Sequence, residues 1–246
     1  MVKPILFNEE MVQAILDGRK SCTRRIMKPQ PKSKLCYTIA GCESKTWGYP
    51  SKVAHEFWGE EYRLPAEITK DDLKKRWKPP CETGDILYVR ETWQECCRYT
   101  VHSPMIHCKY CYKASNGSAF YGCIEECGTC NWRPSIHMPK EAARIWLKVK
   151  DVRVERLKDM TDKDALKEGA QGVKCDHAGF SVYGCTDCMN TGWLEPPILE
   201  FMGIWDSTIK KSDLDRYGWD ANPWVWVIEF EQCEKPRQQK RLMEYT

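Results

Sequence analysis

The hydrophobic positions near the N-terminus predict a short amphipathic helix. Apolar residues recur there at the three- and four-residue spacing of one helix face. Asn8 is a good N-cap residue, Phe7 can pack against Val12 as a hydrophobic staple, and Gly18 supplies a left-handed stop. The predicted buried stripe is Met11, Val12, Ile15 and Leu16.

Three later segments alternate apolar and polar residues as strands do. A turn at 82–85 leads into a strand at 86–89. Residues 144–157 predict a long strand or a hairpin, in which the alternation changes phase at Asp151, and a β-bulge there would explain the change. The final strand carries apolar side chains at alternate positions, namely Trp224, Trp226, Ile228 and Phe230.

A capping signal formed by Thr161 and Asp164 predicts a second short helix, which carries Glu168 and ends at Gly169. Together these patterns predict an α+β fold, a small antiparallel β-structure with two short helices. The chain, residues 1–246, is one elaborated domain in this prediction. It carries insertions at about 28–78, 95–132 (the cysteine-rich segment) and 171–222.

Composition and charge narrow the classes of function. Of the 246 residues, 42% are hydrophobic and 11% aromatic, which is enough for a hydrophobic core. The net charge is only +3, so no global basic field favours tight non-specific binding to nucleic acid. No apolar run reaches the roughly 20 residues of a membrane span, and the N-terminus lacks the apolar core of a signal peptide. We expect a cytoplasmic protein with no membrane partner.

The 15 cysteines, in a chain with no predicted signal peptide, indicate metal binding rather than disulfides. Two Cys-x2-Cys pairs separated by 15 residues are typical of a tetrahedral Zn²⁺ site. Four thiolates would close the coordination sphere, so this zinc would be structural and not catalytic. The predicted ligands are Cys108, Cys111, Cys127 and Cys130.

A second, looser cluster is a candidate for a second zinc site. The alternatives are one site shared with the first cluster, or simple surface thiols. The residues of this cluster are Cys175, His177, Cys185 and Cys188.

The densest group of basic residues follows the first helix. Residues 17–25 place one lysine, one threonine and three arginines directly after it. A tight turn would present Lys20 and Thr23 at a fixed place, as a site requires, whereas the alternative is a solvated basic turn. Cys22, inside this stretch, is either a nucleophile or a small packed residue.

Three motifs, in this order and spacing, resemble the ASCH domain of the PUA-like superfamily. The resemblance implies a small β-barrel with a cleft suited to RNA, a modified nucleoside or a nucleotide. The motifs are Gly18-Arg19-Lys20-x-x-Thr23-x-Arg25, Gly84-Asp85-Ile86-Leu87-Tyr88-Val89-Arg90, and Leu157-x-x-Met160-Thr161 through Glu168-Gly169.

The chain is also similar to larger, cysteine-bearing ASCH-like proteins of phages and prophages. The residues that carry this second likeness are Val89-Arg90-Glu91-Thr92-Trp93 and Arg133-Pro134-Ser135-Ile136-His137-Met138-Pro139.

The ASCH resemblance implies an activity. Small bacterial ASCH proteins include an amidohydrolase that removes the acetyl group from N4-acetylcytidine, and its Lys, Thr and Glu fall by motif on Lys20, Thr23 and Glu168. In such a reaction Thr23 or a water attacks, Lys20 takes or positions a proton, and Glu168 relays protons. Arg25 or backbone N–H groups stabilise the oxyanion. The substrate-binding residues implied are Arg19, Arg24, Arg25, Tyr88, Arg90 and Trp93.

The protonation state of Lys20 stays open at this stage. A position just beyond a helix C-terminus favours the charged amine, which is a poor base. Burial and the neighbouring arginines favour the neutral amine. Lys20 is therefore either a base or a charged clamp on a carbonyl or phosphate.

Two alternatives to the amidohydrolase are consistent with the same residues. In the first, the protein is an RNA- or nucleic-acid-binding module, in which Lys20, Arg24, Arg25 and Arg90 hold phosphates while aromatic side chains stack on bases. In the second, the lysine, threonine and glutamate cleave RNA, and His137 is an additional acid-base residue. The stacking candidates are Tyr88, Trp93 and Trp132.

Overall fold

The protein has a mixed α+β fold in the computed structural model. The structure describes residues 1–30, 77–95, 109–115, 131–175 and 191–236, together with Lys74, Cys188 and the backbone of two short strands at 36–37 and 47–48. The described helices are α1 (Glu9–Leu16), α2 (Asp162–Glu168), α3 (Pro197–Ser207) and α4 (Leu214–Tyr217). The described strands are β1 (Val2–Leu6), β2 (Cys22–Ile26), β3 (Cys36–Tyr37), β4 (Trp47–Gly48), β5 (Ile86–Arg90), β6 (Trp93–Glu95), β7 (Tyr110–Tyr112), β8 (Trp146–Arg156), β9 (Val173–Lys174), β10 (Trp193–Glu195) and β11 (Trp224–Cys233).

The main sheet has five strands in the order β1-β5-β8-β11-β2. Strand β1 runs parallel to β5, whereas the β5–β8 and β11–β2 pairs are antiparallel. The predicted α+β class is confirmed, but the wholly antiparallel arrangement is wrong. Within the described ranges the order ends at β1 and β2 and does not close into a barrel. Pro4 in β1 suits an edge strand, because proline cannot donate to a second neighbour.

The chain divides into two compact units. The first consists of Met1–Gly18, Thr83–Lys150 and Phe230–Thr246, and the second of Arg19–Glu82 and Asp151–Glu229. The core of the first unit contains Trp93, Met138, Ala142, Ala143 and Trp146. The core of the second unit contains Cys22, Leu157, Met160, Ala165, Ala170, Phe201, Trp205, Trp219, Val225 and Val227.

Helix α1, in the first unit, begins and ends as the sequence predicts. The Asn8 side chain accepts a hydrogen bond from the Met11 amide at 2.9 Å, and Gly18 adopts a φ of 73°. The buried face differs from the prediction, because Ala14 is buried while Leu16 is 41% exposed. Leu16 lies on the far side of Val12 from Ile15, at the edge of the buried arc.

Strand β8 is a single long strand, so the alternative of a hairpin is wrong. Its fully buried positions change phase as predicted, from Leu147 and Val149 to Val152 and Val154. The change falls where the chain passes from the first unit into the second, between Lys150 and Asp151.

Strand β11 is buried more completely than one-sided alternation predicts, since Val225, Trp226, Val227 and Ile228 are all buried. It lies between β8 and β2, and an interior strand with both faces covered loses the alternating pattern.

Helix α3 was not predicted from the sequence. It lies within the predicted insertion at 171–222, and it contributes Phe201 and Trp205 to the core of the second unit. Packing therefore accounts for the aromatic residues of this segment. None of the described helices is long and apolar enough to cross a membrane.

Candidate functional site

The basic stretch after α1 is a buried strand, not a solvated turn. Residues 22–26 form β2, which pairs with β11 in a register that places Thr23 opposite Ile228 and Arg24 opposite Val227. Lys20, Thr23 and Arg24 are all buried. A turn at Asp17 and Gly18 does precede β2, as predicted. The solvated alternative is wrong, because the stretch brings charged groups into the interior.

Helix α2 places Glu168 against this stretch. Thr161 and Asp164 form the predicted capping box, and Gly169 ends the helix with a φ of 101°. Because α2 is only 7 residues long, these two ends fix the position of Glu168 closely. Glu168 is buried and is not a solvated carboxylate at the helix end.

Lys20 and Glu168 form a buried ion pair. Lys20 Nζ lies 2.7 Å from Glu168 Oε2, and the two side chains are 0% and 4% exposed. The same amine donates a second hydrogen bond of 2.7 Å to the Glu168 backbone carbonyl. Two residues that the sequence predicts as catalytic partners, 148 positions apart, are thus in direct contact.

Arg24 completes this charge cluster. Its Nη1 lies 3.2 Å from Glu168 Oε1, and its Nη2 lies 3.4 Å from Glu155 Oε2. Within the described part of the chain, the buried Arg24 Nε has no hydrogen-bond partner. The Glu168 carboxylate therefore faces two buried cations, one of which keeps an unsatisfied donor.

Three consecutive residues donate hydrogen bonds to the backbone carbonyl groups at the C-terminal end of α2. The Arg19 Nη1 group donates to the Gly169 carbonyl at 2.8 Å, Lys20 donates to the Glu168 carbonyl, and the Ser21 amide donates to the Lys167 carbonyl at 2.8 Å. Cations at this end of a helix are stabilised by the helix dipole. The relevant dipole for Lys20 is therefore that of α2 and not that of α1, which precedes Lys20 in the sequence.

Burial dominates the protonation of Lys20. Removal from water lowers the pKa of this amine, while the charge and the hydrogen bond of Glu168 oppose the shift and the nearby Arg25 adds to it. Burial also lowers the pKa of Arg25, again against Glu168. Glu168 stabilises the charged form of the amine, whereas burial and Arg25 destabilise it. Opposing effects of this kind are expected for a group that exchanges a proton.

Cys22 is a packed residue. Burial, followed by the Glu168 charge, raises the pKa of its thiol to about 12, while Arg24 opposes the shift. The thiolate is the nucleophilic form, so this environment disfavours the predicted nucleophile and favours the packed residue.

Thr23 lies one strand position from Arg24. Successive side chains of a strand point to opposite faces, so the side chains of Thr23 and Arg25 leave β2 on the face opposite those of Cys22 and Arg24. The residues that the structure brings together are Lys20, Arg24 and Glu168, with Arg19 at the helix end and Arg25 near enough to affect Lys20.

Tyr88, Arg90 and Trp93 belong to the first unit. Arg90 Nε donates to the Met138 carbonyl at 2.8 Å, and its guanidinium lies 5.9 Å from the centre of the Tyr88 ring. Trp93 is buried in the core of that unit, and His137 is exposed. A substrate-binding role for these residues stays a prediction.

Glu155, Arg153 and Glu229 extend the cluster and were missed at the level of the sequence. Arg153 Nε donates to Glu155 Oε1 at 2.7 Å, and Arg153 Nη1 donates to Glu229 Oε1 at 2.8 Å. The alternating charges at 151, 153 and 155 of β8 were the available signal, because they mark one face of the strand.

The zinc predictions fall mostly outside the described residues. Among those that are described, no group of three or more His, Cys, Asp or Glu side chains could hold a metal ion. Three predicted ligands are described, namely Cys111 on β7 and, from the second cluster, Cys175 and Cys188. The predicted ligands outside the described residues are Cys108, Cys127, Cys130, His177 and Cys185.

Comparisons with protein-family models, with curated proteins and with solved structures give no match for this chain. The assignment of a function therefore depends on the geometry of the Lys20 and Glu168 cluster and on the sequence motifs.

Proposed function

We propose that the protein is an ASCH-type hydrolase that removes the acyl group from an N-acylated cytosine nucleoside or nucleotide. One observation carries the proposal, namely the 2.7 Å contact between Lys20 Nζ and Glu168 Oε2 inside the second unit. The contact joins the first and third motifs through which the chain resembles ASCH domains.

The proposed chemistry uses the lowered pKa of Lys20. As the oxygen of Thr23, or of a water, bonds to the acyl carbon, its proton passes to the neutral Lys20 amine. Arg25 or backbone N–H groups stabilise the oxyanion. The bond from the acyl carbon to N4 then breaks, and the proton moves to N4, which leaves the deacylated cytosine nucleoside or nucleotide. If Thr23 has attacked, a water releases the acyl group as a carboxylic acid.

In this proposal, Glu168 and Arg24 hold Lys20, the general base, in place. Glu168 Oε2 orients the Lys20 amine and can relay its proton, while Arg24 fixes the second carboxylate oxygen at 3.2 Å. The structural zinc belongs to the proposal as a support for the cysteine-rich segment, and no step of the reaction passes through it.

The same contacts also suit a purely structural role, since Arg19, Lys20 and Ser21 cap α2. Thr23 separates the two roles, because its side chain is in none of these contacts. We expect Thr23→Val to keep the stability within about 1 kcal/mol and to lower the release of cytidine from N4-acetylcytidine at least about 100-fold. The matched control is Thr23→Ser, which retains a hydroxyl and should retain measurable turnover.

The site residue Lys20 provides the second arm of the test. If water attacks, Thr23→Val stays active and Lys20→Met loses turnover, which identifies Lys20 as the base. Absence of cytidine release by the wild-type protein would overturn the proposed substrate. The stability of each variant is measured by urea unfolding, so that loss of activity is not confused with loss of the fold.

The alternative of a nucleic-acid-binding module at this site has less support. In that alternative Lys20 and Arg24, whose side chains are 0% exposed and ion-paired to glutamates, would have to contact phosphates directly, whereas in the hydrolase Lys20 needs only to receive a proton from Thr23 or a water.

A further inference from the structure

Two half-buried aromatic rings of the second unit are covered by cations. The Arg156 guanidinium lies 4.5 Å from the centre of the Trp224 ring. The Tyr217 ring has Lys28 Nζ at 5.2 Å and the Arg216 guanidinium at 5.1 Å. Lys28 and Arg216 are exposed, and Arg156 is half-buried. We call these five residues the ring–cation surface.

Hydrogen bonds hold residues 27–30 against the backbone of Trp224. The Gln30 side chain accepts from the Trp224 amide at 2.7 Å and donates to the Trp224 carbonyl at 2.9 Å. The Met27 amide donates to the same carbonyl at 3.1 Å. Lys28 lies within residues 27–30 and is therefore held close to Trp224. Its amine lies 5.2 Å from the centre of the Tyr217 ring.

The Arg156 guanidinium is held in a fixed orientation. Its Nη1 donates to the Asn222 carbonyl at 2.9 Å, and the Asn222 side chain accepts from the Lys158 amide at 2.8 Å. Asn222 adopts a φ of 47°, a left-handed conformation that asparagine tolerates better than most residues. The guanidinium plane over Trp224 is thus preorganised.

The charges of this surface are not neutralised. Lys158 pairs with Asp220 at 3.1 Å, but Lys28, Arg156 and Arg216 form no ion pair with any described residue. This distinguishes them from Lys20 and Arg24, whose partners are buried glutamates. Three cations that pair with no described carboxylate thus lie around the two rings, although the exposed Asp215 and Asp220 are close to Arg216 in the sequence.

We propose that the ring–cation surface binds single-stranded nucleic acid. Lys28 and Arg216 would hold phosphates, and the fixed guanidinium of Arg156 and the accessible parts of the two rings would stack on unpaired bases. Aromatic side chains and guanidinium planes stack on every base, so this recognition tolerates many sequences. The proposal is independent of the hydrolase, because none of the five residues is in the Lys20 cluster.

The test is fluorescence anisotropy of the full-length protein with labelled single-stranded RNA and DNA of about 15 nucleotides, between about 50 and 200 mM salt. We expect salt-dependent binding by the wild type. The triple variant Lys28→Gln, Arg156→Gln, Arg216→Gln should bind at least about 10-fold more weakly. Its salt slope should fall by about 1.4, since the phosphate contacts of Lys28 and Arg216 are lost and each single-strand phosphate contact contributes about 0.7.

The matched control is the double variant Lys109→Gln, Lys174→Gln. These lysines also lie over aromatic rings, Tyr110 at 5.1 Å and Trp193 at 5.9 Å, but belong to other surfaces. The control should bind as the wild type does. Stronger binding of RNA than of DNA would indicate a contact to the 2′-hydroxyl, and equal binding a contact to backbone and bases, and both support the proposal.

Two results would overturn the proposal. One is the absence of salt-dependent binding of either strand by the wild type, and the other is an equal loss of affinity in the triple variant and the control. Turnover of a free N-acylated nucleoside is measured separately, so failure of the surface and failure of the hydrolase are distinguishable.

Discussion

Among the described residues, each unit buries one glutamate in an ion pair, and the two pairs differ in their geometry and in their cations. In the first unit, Arg144 donates to both oxygens of Glu91, at 2.9 and 2.8 Å, in a bidentate fork. Arg144 also donates to the Ser115 hydroxyl and stacks 4.2 Å from the centre of the Tyr112 ring. In the second unit, Glu168 divides its two oxygens between Lys20 and Arg24.

The Glu91 pair is fixed in geometry and protonation and suits a structural role, whereas the Glu168 pair contains a titratable member and suits the proposed reaction. Glu91 has one planar partner whose charge is permanent, so the interaction is fixed in geometry and in protonation. Glu168 has two cations, one of which is a lysine whose pKa is lowered by burial. An imbalance of buried charge together with a titratable member is expected at a functional site.

The largest expected effect is the loss of a carboxylate. Glu168→Ala leaves Lys20 and Arg24 buried with their main partner removed, and should cost about 3–5 kcal/mol of unfolding free energy. Glu91→Ala should cost less, about 2 kcal/mol, because Arg144 is 24% exposed and can turn toward water. Urea unfolding of both variants measures the difference. An equal or larger loss in Glu91→Ala would contradict the distinction between the two pairs.

A smaller effect is the pH dependence that Lys20 gives to stability. Its pKa is lowered in the folded protein from the ordinary value of 10.5, so the unfolded chain binds more protons between the lowered pKa and 10.5. Unfolding free energy from this group therefore rises with pH across that window. Cys22 acts in the opposite direction, because folding raises its pKa from 9.0 to about 12. Its contribution to the unfolding free energy therefore falls as the pH rises from 9.0 to about 12.

The measurement compares the wild type with Lys20→Met, in which Cys22 keeps the two largest causes of its raised pKa, burial and the Glu168 charge, and loses only the smaller influence of Lys20. The stability of the wild type relative to the variant should increase with pH below 10.5. A difference that does not change with pH would show that burial does not destabilise the charged amine. A variant of Arg144 should show no such dependence, because an arginine stays charged.

The sequence predicts α2 well because local chemistry determines its ends. The capping box of Thr161 and Asp164 and the left-handed Gly169 are short-range signals, and together they fix where Glu168 lies. The pairing of Glu168 with Lys20 follows from the motif resemblance and not from any local pattern. Burial of both groups could be known only from the tertiary structure.

Strand β2 shows why the rest of the site could not be predicted. Arg24 and Arg25 lie in the middle of β2, and adjacent arginines hide the apolar pattern of a buried strand. Their burial is offset by glutamates from distant segments, which no sequence window contains. Helix α3 has clearer signals, including Pro197 at its first turn, but in the prediction from sequence this segment belongs to the insertion at 171–222.

The smallest expected effect is that of removing a helix cap, and each unit offers one such cap for the comparison. Asn8→Ala removes the cap of α1 and Thr161→Ala removes the cap of α2, and each should cost about 1 kcal/mol in urea unfolding. Only Thr161→Ala loosens the short helix that positions Glu168. We therefore expect it alone to reduce cytidine release by the proposed hydrolase, several-fold, as a change of position and not of chemistry. If Asn8→Ala lowered turnover equally at the same loss of stability, the effect would follow stability, and the placement of Glu168 by α2 would not be what turnover depends on.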